Sequence, residues 1–169
     1  AIGARHAQVR HGVEKVAVVD FDVHHGNGTQ HMFEREPSLF YASSHQHPAY
    51  PGTGAASETG VGNIFNVTLS PGTGTAAFRA AYTDVILPAL TAFNPDLIMI
   101  SAGFDAHIRD PLCQLNVATE DFAWVTEELL QIAAKCCEGK LVSTLEGGYD
   151  LQALSDCVAV HVRAMMATN

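Results

Sequence analysis

The stretch at residues 15–21 (KVAVVDF) limits the fold more than any other part of this chain. It is apolar without alternation and carries Val16, Val18 and Val19. It then runs into the polar string Asp20-Phe21-Asp22-Val23-His24-His25-Gly26. A strand with one wet face alternates apolar and polar residues, whereas a strand covered on both faces does not. The stretch therefore reads as an inner strand of a parallel sheet. Further strands are expected at residues 39–42, 64–69, 97–101 and 141–145, with helices at 29–36, 75–93, 120–138 and 151–165 between and after them. Such alternation predicts an α/β fold, a mostly parallel sheet flanked by helices on both faces.

Residues 1–11 read as the tail of a helix stopped by Gly12. Because no start signal opens that helix, further chain is expected before it, and the sheet is expected to be incomplete on its N-terminal side. The helix at residue 120 is the best marked. Thr119 is expected to cap it, Glu120 and Asp121 suit its positive end, and Phe122, Val125, Leu129, Ile132 and Ala133 recur at helical spacing as core.

Composition narrows the partners. With 169 residues and 47% hydrophobic content the chain can bury the core of one domain. Nine Lys and Arg against eighteen Asp and Glu leave a net charge of −9. That balance argues against binding nucleic acid or anionic membrane through bulk electrostatics, and no apolar run approaches the roughly 20 residues of a membrane span. Cys113, Cys136, Cys137 and Cys157 are too irregular for a disulfide framework or zinc ribbon. They read as free thiols in a reducing cytoplasm.

Ligands of open parallel sheets bind beyond the carboxyl ends of the strands. Three strands here end in chemistry-bearing residues: the string at Asp20 to Gly26, Ser101-Ala102-Gly103-Phe104-Asp105-Ala106-His107, and Glu146-Gly147-Gly148-Tyr149. On extended backbone Asp22 and His24 project to one side. With Asp105 they supply two carboxylates and an imidazole, three protein ligands with a fourth position open, the pattern of a catalytic zinc site. The plainer alternative is that Asp22 and His24 only cap loops. His25, out of phase, is expected to support or pack, and Asp20 is expected to lie too deep for the same metal. His45, His47 and His107 are candidates by position only. Tyr149, after two glycines, could donate to the oxyanion of a hydrolysed carbonyl. The Gly-, Pro-, Ser- and His-rich residues 43–62 read as a long functional loop.

These motifs, together with Asn27-Gly28-Thr29-Gln30, Pro51-Gly52-Thr53-Gly54 and Asp110-Pro111-Leu112, resemble the zinc-dependent histone deacetylases of the arginase/deacetylase superfamily. The wording is closer to class II enzymes and to bacterial deacetylase-like or acetylpolyamine amidohydrolases than to class I. The resemblance implies Asp22, His24 and Asp105 as zinc ligands and Tyr149 as the transition-state stabiliser. It implies a structural potassium held by Asp20, Ser43 and Ser44 with backbone of Asp22 and His24. A second, more distant monovalent cation would sit on backbone oxygens near Phe33, Glu36, Leu39 and Phe65. Tyr50 matches an aromatic wall of the acyl-lysine tunnel and Gly148 a substrate contact. The implied substrates are acetylated amines, acetyl-lysine peptides or acetylpolyamines.

One departure stands out. The family's general base is a histidine pair upstream of the helix that residues 1–8 resemble, and His6 and His11 match nothing catalytic. Residues 1–169 are therefore expected to be the C-terminal portion of a single deacetylase-like catalytic domain, inactive alone and, with an exposed sheet edge, prone to form homo-oligomers. Among rivals, a two-manganese ureohydrolase needs a carboxylate where Gly26 stands, and a dinucleotide site needs a third glycine where His31 stands. A haloacid-dehalogenase-type phosphatase would use Asp20 and Asp22 but lacks its lysine and later acidic pair. A non-catalytic deacetylase-like binding module is the remaining alternative.

Overall fold

The computed structural model of the protein describes residues 1–167. A first helix, α1 (Ile2–His11), ends at Gly12 in the left-handed region. The central strand β1 (Val16–Asp20) follows, then α2 (Asn27–Phe33), β2 (Leu39–Gln46) and β3 (Ile64–Leu69). A long helical arm joins β3 to β4 (Leu97–Ala102), and α5 (Thr119–Cys136), β5 (Leu141–Leu145) and α6 (Leu151–Met166) follow. The five strands form one parallel sheet in the order β3-β2-β1-β4-β5. This is the expected α/β sheet, and it places the ends of β1, β4 and β5 side by side.

β1 explains why its sequence lacks alternation. Val16 and Val18 face one side, where Ala4 and Ala7 of α1, Phe33, Leu39, Tyr41 and Ile64 pack. Ala17 and Val19 face the other, beneath Phe78, Tyr82, Ile86, Leu90, Phe122, Val125 and Leu129. Each large side chain so buried contributes about 1.5–3 kcal/mol relative to exposure.

The long arm differs from the single helix expected at residues 75–93. It is α-helical at α3 (Thr75–Ala80), π-helical over Ala81–Ile86 and α-helical again at α4 (Leu87–Phe93). The cause lies in the spacing of its buried residues. Phe78, Tyr82, Ile86 and Leu90 are fully buried at intervals of four. In an α-helix of 3.6 residues per turn that spacing drifts about 40° at each step. The wider π turn winds the drift back and keeps all four on the core.

Two further expectations are corrected. Thr119 does not cap α5: the N-cap is Ala118, whose N–H donates to Asp121 Oδ2 at 3.0 Å. Thr119 Oγ1 instead meets His107 Nε2 at 3.1 Å. β2 runs on to Gln46, past the expected end at residue 42, because the polar residues Ser43 to Gln46 pair with β3 and are buried with partners. At the outer edge, Val142 and Leu145 of β5 are 48% and 57% exposed.

Phe122 touches the rings of Phe21, Phe78 and Phe104 at 5.2–6.3 Å between centroids and has no exposure. Phe122→Ala is expected to cost about 3–5 kcal/mol. A lower urea midpoint with an unchanged m-value is the signature to look for.

Candidate metal centre

The site forms where β1, β4 and β5 stop. Asp22 and His24 follow β1, Asp105 follows β4, and Gly147 follows β5. His24 Nδ1 lies 3.0 Å from Asp22 Oδ1 and 3.1 Å from Asp105 Oδ2. One atom from each of the three residues lies within 4.8 Å of the others. Donors about 2 Å from a tetrahedral ion are roughly 3.3 Å apart, so this spacing suits a small divalent cation. The charges fit as well, because an Nδ1 carries at most one hydrogen and cannot serve two carboxylates at full strength.

Backbone groups hold both carboxylates in place. Asp22 Oδ2 accepts from Gly147 N–H at 2.8 Å, and Asp22 Oδ1 accepts from His24 N–H at 2.8 Å. Asp105 Oδ1 accepts from Val23 N–H at 2.8 Å, which leaves its Oδ2 turned to the imidazole. Such outer bonds fix ligand orientation. They also require glycine at position 147, since a Cβ there would land on the carboxylate oxygens of Asp105 and Asp22.

The electrostatics follow from this packing. Bonds from Asp105 and Asp22 push the pKa of His24 up to about 10, against the opposing effect of its partial burial. Burial acts to raise Asp22, but bonds from His24 and Gly147 outweigh it and hold that carboxyl below the ordinary range. Burial, with the charge of Asp22, keeps Asp105 above it. Without metal, a proton on His24 takes the place of the cation between two carboxyl groups.

The other candidates sort clearly. Asp20 stays out of the cluster, as expected: its Oδ1 accepts from Asp22 N–H at 3.1 Å and its Oδ2 from the Tyr41 hydroxyl at 2.8 Å. Burial first, then the charge of Asp22, pushes its pKa up. His25 supports the loop, with Nε2 donating to Gln30 Oε1 and Nδ1 meeting Thr53 Oγ1, each at 2.8 Å. His45 is buried between Ser43 Oγ and the Gly54 carbonyl, and burial followed by His25 lowers its pKa to about 4. His107 shapes a turn by accepting from Arg109 N–H. Neither His45 nor His47 joins the three ligating groups. Ser43 and Ser44 turn their hydroxyls to opposite faces of β2, towards His45 and Tyr82.

Tyr149 and Tyr50 stand at the rim. Tyr149 is 53% exposed, and slight burial together with the carboxylates of Asp105, Asp22 and Asp110 raises its phenol. Tyr50 is 81% exposed with its ring edge-on to His24, centroids 6.4 Å apart. Gly148 takes φ 139°, a conformation that strains any side-chain-bearing residue. His6 and His11 meet edge to face along α1, centroids 5.2 Å apart, and His6 lines a groove beside Leu39, the first residue of β2, at the opposite end of the strands.

Two residues were missed by the sequence reading. Asp110 Oδ2 accepts from Tyr149 N–H at 2.8 Å and so anchors the root of that phenol. Its place in an Asp-Pro-Leu motif was the available signal. Cys113 Sγ lies 3.8 Å from His24 Nε2, the nitrogen that faces away from the carboxylates. No spacing rule links positions 24 and 113.

The chain belongs to the histone deacetylase family: residues 1–165 match the histone deacetylase domain. Histone deacetylase 14, chloroplastic, of Arabidopsis thaliana is 42% identical to it over 170 residues, covering 98% of this chain and 40% of that protein. A probable deacetylase of Archaeoglobus fulgidus is 36% identical over 163 residues, 94% of this chain and 45% of that protein. The crystal structure of the HDA15 HD domain superposes with a TM-score of 0.92 at 40% identity, over 98% of this chain and 48% of that one. The chain thus spans less than half of each of these three proteins.

Two outcomes follow from the site. The raised pKa of His24 means that the folded, metal-free protein holds a proton the unfolded chain releases near 6.5. Its contribution to stability is complete below that pH and lost as pH rises towards about 10. Urea titrations in chelator across this range are expected to show the fall. Gly147→Ala is expected to weaken binding of a divalent cation at these three residues by at least about tenfold, read by competition with a chromophoric chelator.

Proposed function

We propose that residues 1–169 are the C-terminal portion of a deacetylase catalytic domain that hydrolyses acetylated amines to free amine and acetate with bound zinc. The observation that carries this reading is the meeting of Asp22, His24 and Asp105 at the C-terminal rim of the sheet. The family match and the deacetylase names of the relatives support it.

Asp22, His24 and Asp105 would hold the zinc. Bound there, the metal supplies Lewis-acid polarisation of an acetyl carbonyl and a lowered pKa for water. The chain's own residues do the rest. Gly147 and Val23 amides keep the two carboxylates from rotating away. Tyr149, its phenol held protonated by slight burial and then by the surrounding carboxylates, donates a hydrogen bond to the developing oxyanion, and Asp110 fixes its backbone. Tyr50 offers an apolar wall and Gly148 a backbone surface to the substrate. The buried Asp20 carboxyl, crowded by Asp22, suits a balancing potassium ion shared with Ser43, Ser44 and the backbone of Asp22 and His24. Since Ser43 and Ser44 point apart, at least one would serve through its carbonyl.

The general base is a proposal of absence. Among the described residues, both nitrogens of His25 and of His45 are engaged in loop bonds, and His6 lines a groove at the far end of the sheet. Neither His25 nor His45 is thereby placed to take a proton from water at the three ligating groups. We therefore propose that these residues alone bind zinc without appreciable turnover. The net charge of −9 favours cationic substrates, a protein lysine or a polyamine, as steering. Four unpaired thiols suit a reducing compartment, and a cytoplasmic location belongs to the same proposal. The exposed β5 edge is the surface we assign to self-association.

The test has two arms. The 169-residue chain is expected to bind one zinc, with Asp105→Asn abolishing it, and to leave acetyl-lysine peptide and acetylpolyamine intact. A parent protein carrying a complete domain is expected to hydrolyse one of them, and Tyr149→Phe to lower its kcat about 100- to 1,000-fold. Peptide binding without product in that parent would establish the binding-module alternative instead.

A further inference from the structure

The turn between α2 and β2 aims three backbone carbonyls at one point. The oxygens of Phe33, Glu36 and Leu39 all lie against the side-chain amide nitrogen of Asn63, at 2.8, 3.1 and 2.6 Å. Asn63 is 4% exposed. Its backbone is fixed, because its carbonyl accepts from Tyr41 N–H at 3.1 Å as the chain enters β3. Its Oδ1 accepts from Val61 N–H at 3.2 Å, which turns Nδ2 towards the carbonyls. Gly60, at φ 58°, makes room, since a Cβ there would strike Asn63 Oδ1 and the Glu34 carbonyl.

Three carbonyl dipoles with their negative ends together repel each other unless something positive sits among them. A potassium-sized cation does this in cages of backbone carbonyls. An amide NH2 does it with two hydrogens and no net charge. Phe33, Glu36 and Leu39 are three of the four residues near whose oxygens the family resemblance places the second monovalent cation, Phe65 being the fourth. Here that place is filled by protein, and the residues present do not fit the ion.

We infer that Asn63 replaces the second monovalent cation in this chain: its buried amide ties the α2–β2 turn to β3, and this turn needs no ion. The inference stands apart from the catalytic reading, because it concerns a turn at the ends of α2 and β2 away from the three ligating groups.

The direct test is a thallium soak of crystals of the protein, with anomalous scattering. No peak is expected among the carbonyls of Phe33, Glu36 and Leu39; a peak there overturns the inference. A second test compares thermal midpoints in potassium chloride and choline chloride. Asn63→Gly empties the place, and Asn63→Asp puts an oxygen against the carbonyls in place of the NH2 group. Both variants are expected to melt several degrees below the unsubstituted protein in choline, and to regain more of that loss in potassium than the unsubstituted protein gains. Equal potassium responses in all three proteins would overturn it. Should Asn63→Gly fail to fold, Asn63→Asp and the thallium map still decide.

Discussion

Everything in this molecule is arranged around a strand with no wet face. β1 lies in the middle of the sheet with helices over both sides, so it can carry no polar side chain until it reaches its end. Chemistry is thereby pushed to the rim. Parallel pairing with β4 keeps Asp20 opposite Ser101, and β4 in turn keeps Ala102 opposite Leu145 of β5. The turns that follow these strands therefore start level, and Asp22, Asp105 and Gly147 meet because their strands stop together. Two carboxylates at close range are costly in a dry place. The imidazole between them and the backbone amides behind them offset that cost, and the same bonds present the three donors as a set.

Much of this could be read from residue order. An unbroken apolar run implied burial on both faces, and the two-residue spacing of Asp22 and His24 implied a shared direction. The Asp105 and Gly147-Gly148-Tyr149 segments were legible as strand ends because glycines flank them. What escaped was contact between segments far apart in the chain. Asp110 reaching Tyr149, and Cys113 approaching His24, depend on how loops fold over the rim, and no periodicity encodes that. The polar end of β2 reads as loop by residue type because Ser43 to Gln46 look solvated, yet each finds a partner inside. Thr119 looked like a cap by type and position, but Asp121 reaches back to the Ala118 amide while also holding Thr75 and Arg79.

The polar interior beneath the rim is as ordered as the rim itself. His25, Gln30, Thr53, Glu58 and Asn66 form a connected chain of bonds that ties the long loop after β2 to α2 and β3. That loop also carries Tyr50, so the placement of an exposed aromatic depends on a buried network some distance below it. Such networks specify geometry when fully satisfied. The lone exception among the described residues is Asn66 Oδ1, which has no partner.

The π-helical turn between α3 and α4 has a consequence for how this lineage of sequences can vary. Because it rewinds the phase of a spacing that no α-helix could keep, the residue count between Phe78 and Leu90 is locked to the shape of the cavity they fill. Gain or loss of one residue there would swing half of the arm around its own axis and bring polar neighbours over the sheet. Its exposed positions are open to substitution; insertion and deletion are closed to the whole segment.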